Sequence, residues 1–315
     1  MVGGMVSWLV LAVATAFGVG DLELRLLVVL SAPLVIVPRS LRLLAPSLPP
    51  AAGAVWVIGA GMAASSALVP VGALAALLAC GWLAATASLV AMAATTWWRD
   101  TDRRLPAEQV LAFVALAWLP AAAAWFVASR AGAEPFGFDE PITLLTSAHF
   151  HVAGHATTAI AAVVLGHLPA AHMTRRVALG AAGATTIGPV LVAAGWQTGV
   201  AMLHVAGATL LTVGIAGLVP GTFAATSRGT PPVAVRMARV GALVPAVPLA
   251  FAMLYSLARV SDLPMPSIDV MVRAHGLVNA LGFAALSLEA WRRMRAVESN
   301  VPDMERRTDV VAPRA

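Results

Sequence analysis

The chain contains no lysine: all 20 of its basic residues are arginine. With alanine and glycine abundant, this is compositional bias and carries no mechanism. Cysteine is nearly absent as well. The single Cys80 lies within an apolar run, which excludes an intrachain disulfide and most thiolate metal sites. There is one tyrosine, Tyr255. Charged residues make up only 11% of the 315 positions, where soluble domains carry roughly a quarter. That shortage, beside 60% hydrophobic residues, excludes a soluble domain. The arginines are scattered over short polar gaps and form no patch or stripe, so nucleic acid is excluded as a partner. No Gly-rich nucleotide loop and no internal repeat is present. The opening MVGGMVSW has no basic residue before its apolar run and reads as a first membrane span, not a cleaved signal peptide.

What is present in quantity is apolar sequence. Ten stretches bounded by charge, proline or glycine predict an all-α, polytopic transmembrane bundle of about ten spans. They cover roughly 3–20, 22–38, 51–69, 71–97, 107–129, 143–166, 177–195, 198–219, 237–258 and 269–291. Tight hairpins are expected at Asp21 and Pro70. Residues 1–295 read as one membrane domain and 296–315, with Pro302 and Pro313, as a disordered cytoplasmic tail. Placing both termini inside puts 16 of the 20 arginines in the cytoplasm. Only Arg25, Arg130, Arg259 and Arg273 then fall outside, an asymmetry that fixes the orientation. A bacterial plasma membrane is the expected location, with the bilayer as first partner.

Five of the seven histidines interrupt apolar segments, where an ionisable group is costly and seldom accidental. His149, His151 and His155 fall on span six, His204 on span eight and His275 on span ten. These three spans run in the same direction, from outside to inside. His149, His204 and His275 each come six or seven residues into their span, about 10 Å below the outer boundary. His151 and His155 share a helix face at the HxxxH spacing that chelates one metal ion. The metal set expected from this geometry is His151, His155, His204 and His275. His149, His204 and His275 form the alternative set facing a cofactor such as haem. Asn279, four residues after His275, orients that ring or contacts substrate. Tyr255 sits at the outer end of span nine. Asp269 and Arg273 open span ten, four apart, where they are spaced to pair, and Asp269 is the candidate proton carrier. His167 and His172 read as loop residues flanking the turn before Arg175.

Two stretches resemble a known family. His149-Phe150-His151 followed by Ala153-Gly154, and the segment from Met271 to Phe283 (MVRAHGLVNALGF), are similar to the YndJ-like bacterial multi-pass membrane proteins. The resemblance implies that these two stretches matter. It names no reaction, because no activity is established for that family.

The leading expectation is a metal- or haem-dependent membrane enzyme or redox protein with its centre near the outer face. Zinc, iron, copper or haem would suit neutral imidazoles, and the substrate would be a lipid or small molecule arriving from the outer side. A proton-coupled or metal transporter is the second class. A structural membrane protein with a hydrogen-bonded histidine layer is the third. Oligomeric state is not constrained. The orientation is directly testable: in a Cys80→Ala background, Glu134→Cys should react with a membrane-impermeant maleimide added to intact cells. Labelling only after lysis would invert the topology.

Overall fold

Hydrocarbon offers a peptide group no water, so each apolar run must satisfy its own N–H and C=O groups and becomes a helix. The computed structural model describes residues 2–16, 23–100, 105–171, 173–226 and 232–298. Among these residues it contains ten helical rods. They are α1 (Val2–Ala16), α2 (Leu24–Leu44), α3 (Ala51–Ala67), α4 (Ala73–Arg99), α5 (Ala107–Ala131), α6 (Ile142–Gly166), α7 (Met173–Thr198), α8 (Ala201–Ala225), α9 (Pro232–Ala258) and α10 (Ile268–Val297). Eight of them are long and apolar enough to cross a membrane; α1 and α3 are shorter. At 1.5 Å per residue the 17 residues of α3 span about 25 Å, less than the roughly 30 Å of hydrocarbon. The outward faces are apolar: Ile58, Leu77, Val213, Val240 and Val247 are all more than half exposed, as lipid contact requires.

The structure departs from the sequence expectations in two places. The helix of α10 continues to Glu298, three residues into the expected tail, because Glu289, Arg292 and Arg293 bind one another along it. Residues 299–315, the Asp21 hairpin and His172 lie outside the described residues. The second departure is local winding. The helices α2, α6 and α10 each contain a π-helical stretch, at Ala32–Ile36, Phe150–Ala156 and Met271–Ala285 respectively. These three stretches pack on one another. Pro33 opens the first of them and lacks the N–H that a regular ladder would use. Such wide turns are frequent at functional sites.

The centre of the bundle is formed by α2 and α6. Their most apolar windows are 83% buried, against 33% for α4 and α7. Charge closes the core at one end, where the buried Arg39 of α2 lies 3.3 Å from Glu289 of α10. At the other end of the bundle, Arg130 donates to the carbonyls of Ser66 and Val69 and ties α5 to the α3–α4 turn.

The closest helix pair is α7 with α8. Gly199 turns the chain between them with φ +70°, a conformation that favours glycine. A Cβ on Gly207 would sit 2.6 Å from Val192 N, and one on Gly195 would sit 2.4 Å from His204 N. Small residues therefore set this spacing, as in many membrane helix pairs. Gly207→Leu should lower thermal stability strongly, by about 1–3 kcal/mol or more. Gly61→Ala, where the added carbon meets nothing within 4 Å, should be neutral or slightly stabilising. Thermal unfolding of both variants in one detergent checks the pair.

Candidate functional site

The five membrane-depth histidines divide into two groups with opposite hydrogen-bonding states. In the first group every ring nitrogen has a partner. His151 Nδ1 lies 2.9 Å from Ser147 O. A carbonyl only accepts, so that nitrogen carries the proton. Nε2 then accepts the indole N–H of Trp82 at 3.1 Å. His155 repeats the pattern, donating from Nδ1 to Ala115 O at 2.7 Å and accepting at Nε2 from the Ser40 hydroxyl at 2.8 Å. His151 is 1% exposed and His155 is fully buried. The two rings brace α6 against α4 in one case and against α2 and α5 in the other.

This arrangement corrects the expected HxxxH chelate. Four-residue spacing puts both rings on one side of α6, but every nitrogen lone pair a metal would need is already accepting a hydrogen bond. Among the described residues no three His, Cys, Asp or Glu side chains come together as a metal site. The set His151, His155, His204 and His275 is therefore not assembled, because its α6 members face helices other than α8 and α10.

The second group lines a cavity of about 240 Å³ enclosed chiefly by α6 to α10. His149, His204 and His275 all reach it, each from its own helix, and Tyr255 and Asn279 join them. Here the polar atoms lack partners. His149 Nε2, His204 Nδ1 and Asn279 Oδ1 are buried with no hydrogen bond. His275 is held on one side only, its Nδ1 lying 2.8 Å from Pro248 O of α9. The Asn279 amide nitrogen sits 3.4 Å from the same Nδ1. His204 meets the edge of Trp196 at 5.6 Å between ring centres and Tyr255 at 6.2 Å. The Arg259 guanidinium covers Trp196 at 4.0 Å. His204 falls on the first turn of α8, which begins at Ala201, so it lies nearer its helix end than the expected six or seven residues.

Asp269 is not in this cavity. Its side chain is 72% exposed and pairs with Arg25 of α2 at 3.8 Å, where Arg273 was the partner suggested by spacing. Asp269, Arg25, Glu23 and Arg273 line a separate small cleft, which shares Val272 with the histidine cavity. His167 ends α6 as expected, bonded through Nδ1 to Val163 O. Sequence reasoning missed Trp196 and Gln197 as wall residues. They precede the Gly199 turn with no spacing signal of their own.

The two groups differ in a way that stability measurements reveal. His155→Ala strands the Ala115 carbonyl acceptor in the core and should cost about 1–3 kcal/mol. His149→Phe removes an unpartnered nitrogen and should leave the thermal midpoint unchanged or raised. Equal losses from both would contradict the division.

Comparison with curated proteins and with solved structures gave no match. The description "YndJ-like protein" matches residues 26–283, a range that includes every cavity histidine and ends at Phe283 in the cavity wall. With eight helices able to cross a bilayer, the chain belongs to the YndJ-like family and is a multi-pass protein of the bacterial plasma membrane.

Proposed function

We propose that this protein is a membrane-embedded binding protein whose cavity holds a mostly apolar small molecule, with His151 and His155 as structural braces. The observation that carries this reading is the set of three unpartnered buried atoms, His149 Nε2, His204 Nδ1 and Asn279 Oδ1, around one cavity. A buried polar atom without a hydrogen bond costs about 1–3 kcal/mol. Three in one wall are tolerable when a bound molecule supplies the missing partners. The rest of the wall is mainly aliphatic and aromatic, the usual character of a small-molecule site.

The hydrogen-bonded histidine layer takes the place of a metal or haem centre in this reading. We further propose that α1 and α3 complete ten crossings with both termini in the cytoplasm. The cavity then lies toward the outer face, since Phe138 of the 132–141 link lines it and the lining residues Gln197 and Ile268 stand next to the 199–200 and 259–267 links. His149, His204, His275, Asn279 and Tyr255 are the proposed contact residues; Asp269 belongs to the outer rim.

Native mass spectrometry and lipid extraction of the gently purified protein test the reading. The unaltered protein should retain a small molecule, and the His149→Phe/His204→Phe double variant should lose most of it while His151→Phe, where still folded, keeps it. Identical occupancy in the unaltered and doubly substituted proteins would overturn the proposal.

A further inference from the structure

The wall of the cavity is chemically selective in two respects. Among the described residues that line it there is no Asp, Glu, Lys or Arg. A ligand with a charged head would lose its hydration without gaining a counter-charge, at a cost of several kcal/mol. The head must therefore be uncharged. The same absence leaves an imidazolium in the wall with no carboxylate to face, which favours neutral rings.

The second restriction comes from the orientation of His275. Its Nδ1 meets Pro248 O at 2.8 Å, and a carbonyl is only an acceptor, so Nδ1 carries the single proton of the neutral ring. Pro248 is not part of the cavity wall, whereas His275 is. The Nδ1 edge is thus turned to α9, and the remainder of the ring, with Nε2 as a bare lone pair, is left for the cavity. A lone pair requires a donor. Ethers, esters and ketones supply none; a hydroxyl does, and it also accepts. The accepting side of that hydroxyl can be met by His149 Nε2 or His204 Nδ1 in the tautomer that carries its proton there, whereas the open atom of Asn279 is Oδ1, an acceptor that also calls for a donor.

Shape adds the third element. Along α8 the wall runs from His204 through Ala208 and Leu211 to Ile215, about 16 Å at 1.5 Å per residue. Its far end is apolar, with Ile215 and Phe283. We infer that the ligand is an uncharged lipid alcohol: a hydroxyl head donating to His275 Nε2 and a hydrocarbon tail lying along α8 toward Ile215. This rests on the cavity being a ligand site, and the test separates the two statements.

The full-length protein in nanodiscs is loaded with four probes of equal chain at the same bilayer mole fraction: farnesol, farnesyl methyl ether, farnesoic acid and farnesylamine. Occupancy is read by native mass spectrometry. Farnesol should bind best, with the methyl ether weaker by about tenfold, the value of one hydrogen bond near 1.4 kcal/mol. His275→Phe should erase the difference between alcohol and ether. The probe series on the unaltered protein decides even where that variant fails to fold. Equal binding of alcohol and ether, tighter binding of the acid or amine, or no binding of any probe would overturn the lipid-alcohol inference. Discrimination that persists in His275→Phe would overturn the role of His275. In each of these cases a co-purifying occupant lost from the His149→Phe/His204→Phe variant leaves the cavity proposal standing; its absence removes both.

Discussion

A polar group inside hydrocarbon has no water to turn to, and most arrangements in this protein answer that constraint. The backbone answers it by forming helices. Serine and threonine hydroxyls answer it by bonding to carbonyls of their own helix, as Thr212 does to Ala208 O and Ser256 to Ala252 O. Arg39, only 6% exposed, is placed against Glu289 and bonded to Val35 O. His151 and His155 use both ring nitrogens. Against that background the unpartnered nitrogens of His149 and His204 stand apart. Other buried polar atoms are open too, among them Thr158 Oγ1, Ser287 Oγ and the indole nitrogens of Trp118 and Trp291, but those of His149, His204 and Asn279 gather around one cavity, which is what supports the proposed site there.

The segment His149-Phe150-His151 shows how one helix serves both ends. Adjacent positions on α6 face different neighbours, so His149 opens on the cavity while His151 turns to Trp82. Between them Phe150 packs on Trp118 at 5.0 Å between ring centres, and Gly154 is compelled by the same indole. A Cβ there would fall 2.7 Å from the Trp118 ring. The wide π turns from Phe150 to Ala156 keep His151 and His155 on the braced side. The family resemblance in this stretch therefore mixes two requirements, a packing one at His151 and Gly154 and an open imidazole at His149.

Much of the fold was legible because it depends on local composition. Apolar runs between charges mark all ten rods, and the placement of His149, His204 and His275 on three co-directional helices anticipates their common cavity. The pairing of those histidines with Tyr255 and Asn279 follows from the same count of residues. The HxxxH motif misleads for a physical reason. Spacing reports which residues share a face, whereas ligation depends on what faces them. Beside the local Ser147 carbonyl, the partners of His151 and His155 are Trp82, Ser40 and Ala115, 69, 115 and 40 residues away, and nothing local announces those three. The Asp269–Arg273 spacing fails likewise, because Arg25 arrives from α2. The π-helical winding has no compositional mark beyond Pro33.

The burial of α2 also sets an order of events during synthesis. This helix leaves the ribosome long before α10 yet ends as one of the two most enclosed of the long helices. Its Arg39 pairs with a carboxylate, Glu289, that is made about 250 residues later. At about 5–20 residues per second, Arg39 waits roughly 12–50 s for its counter-charge. During that interval its guanidinium is best kept at the headgroups, where water solvates it, and its buried pairing waits for α10. The bundle thus closes only once α10 is made, and the histidine cavity, whose wall includes His275 and Asn279 of α10, is complete no earlier.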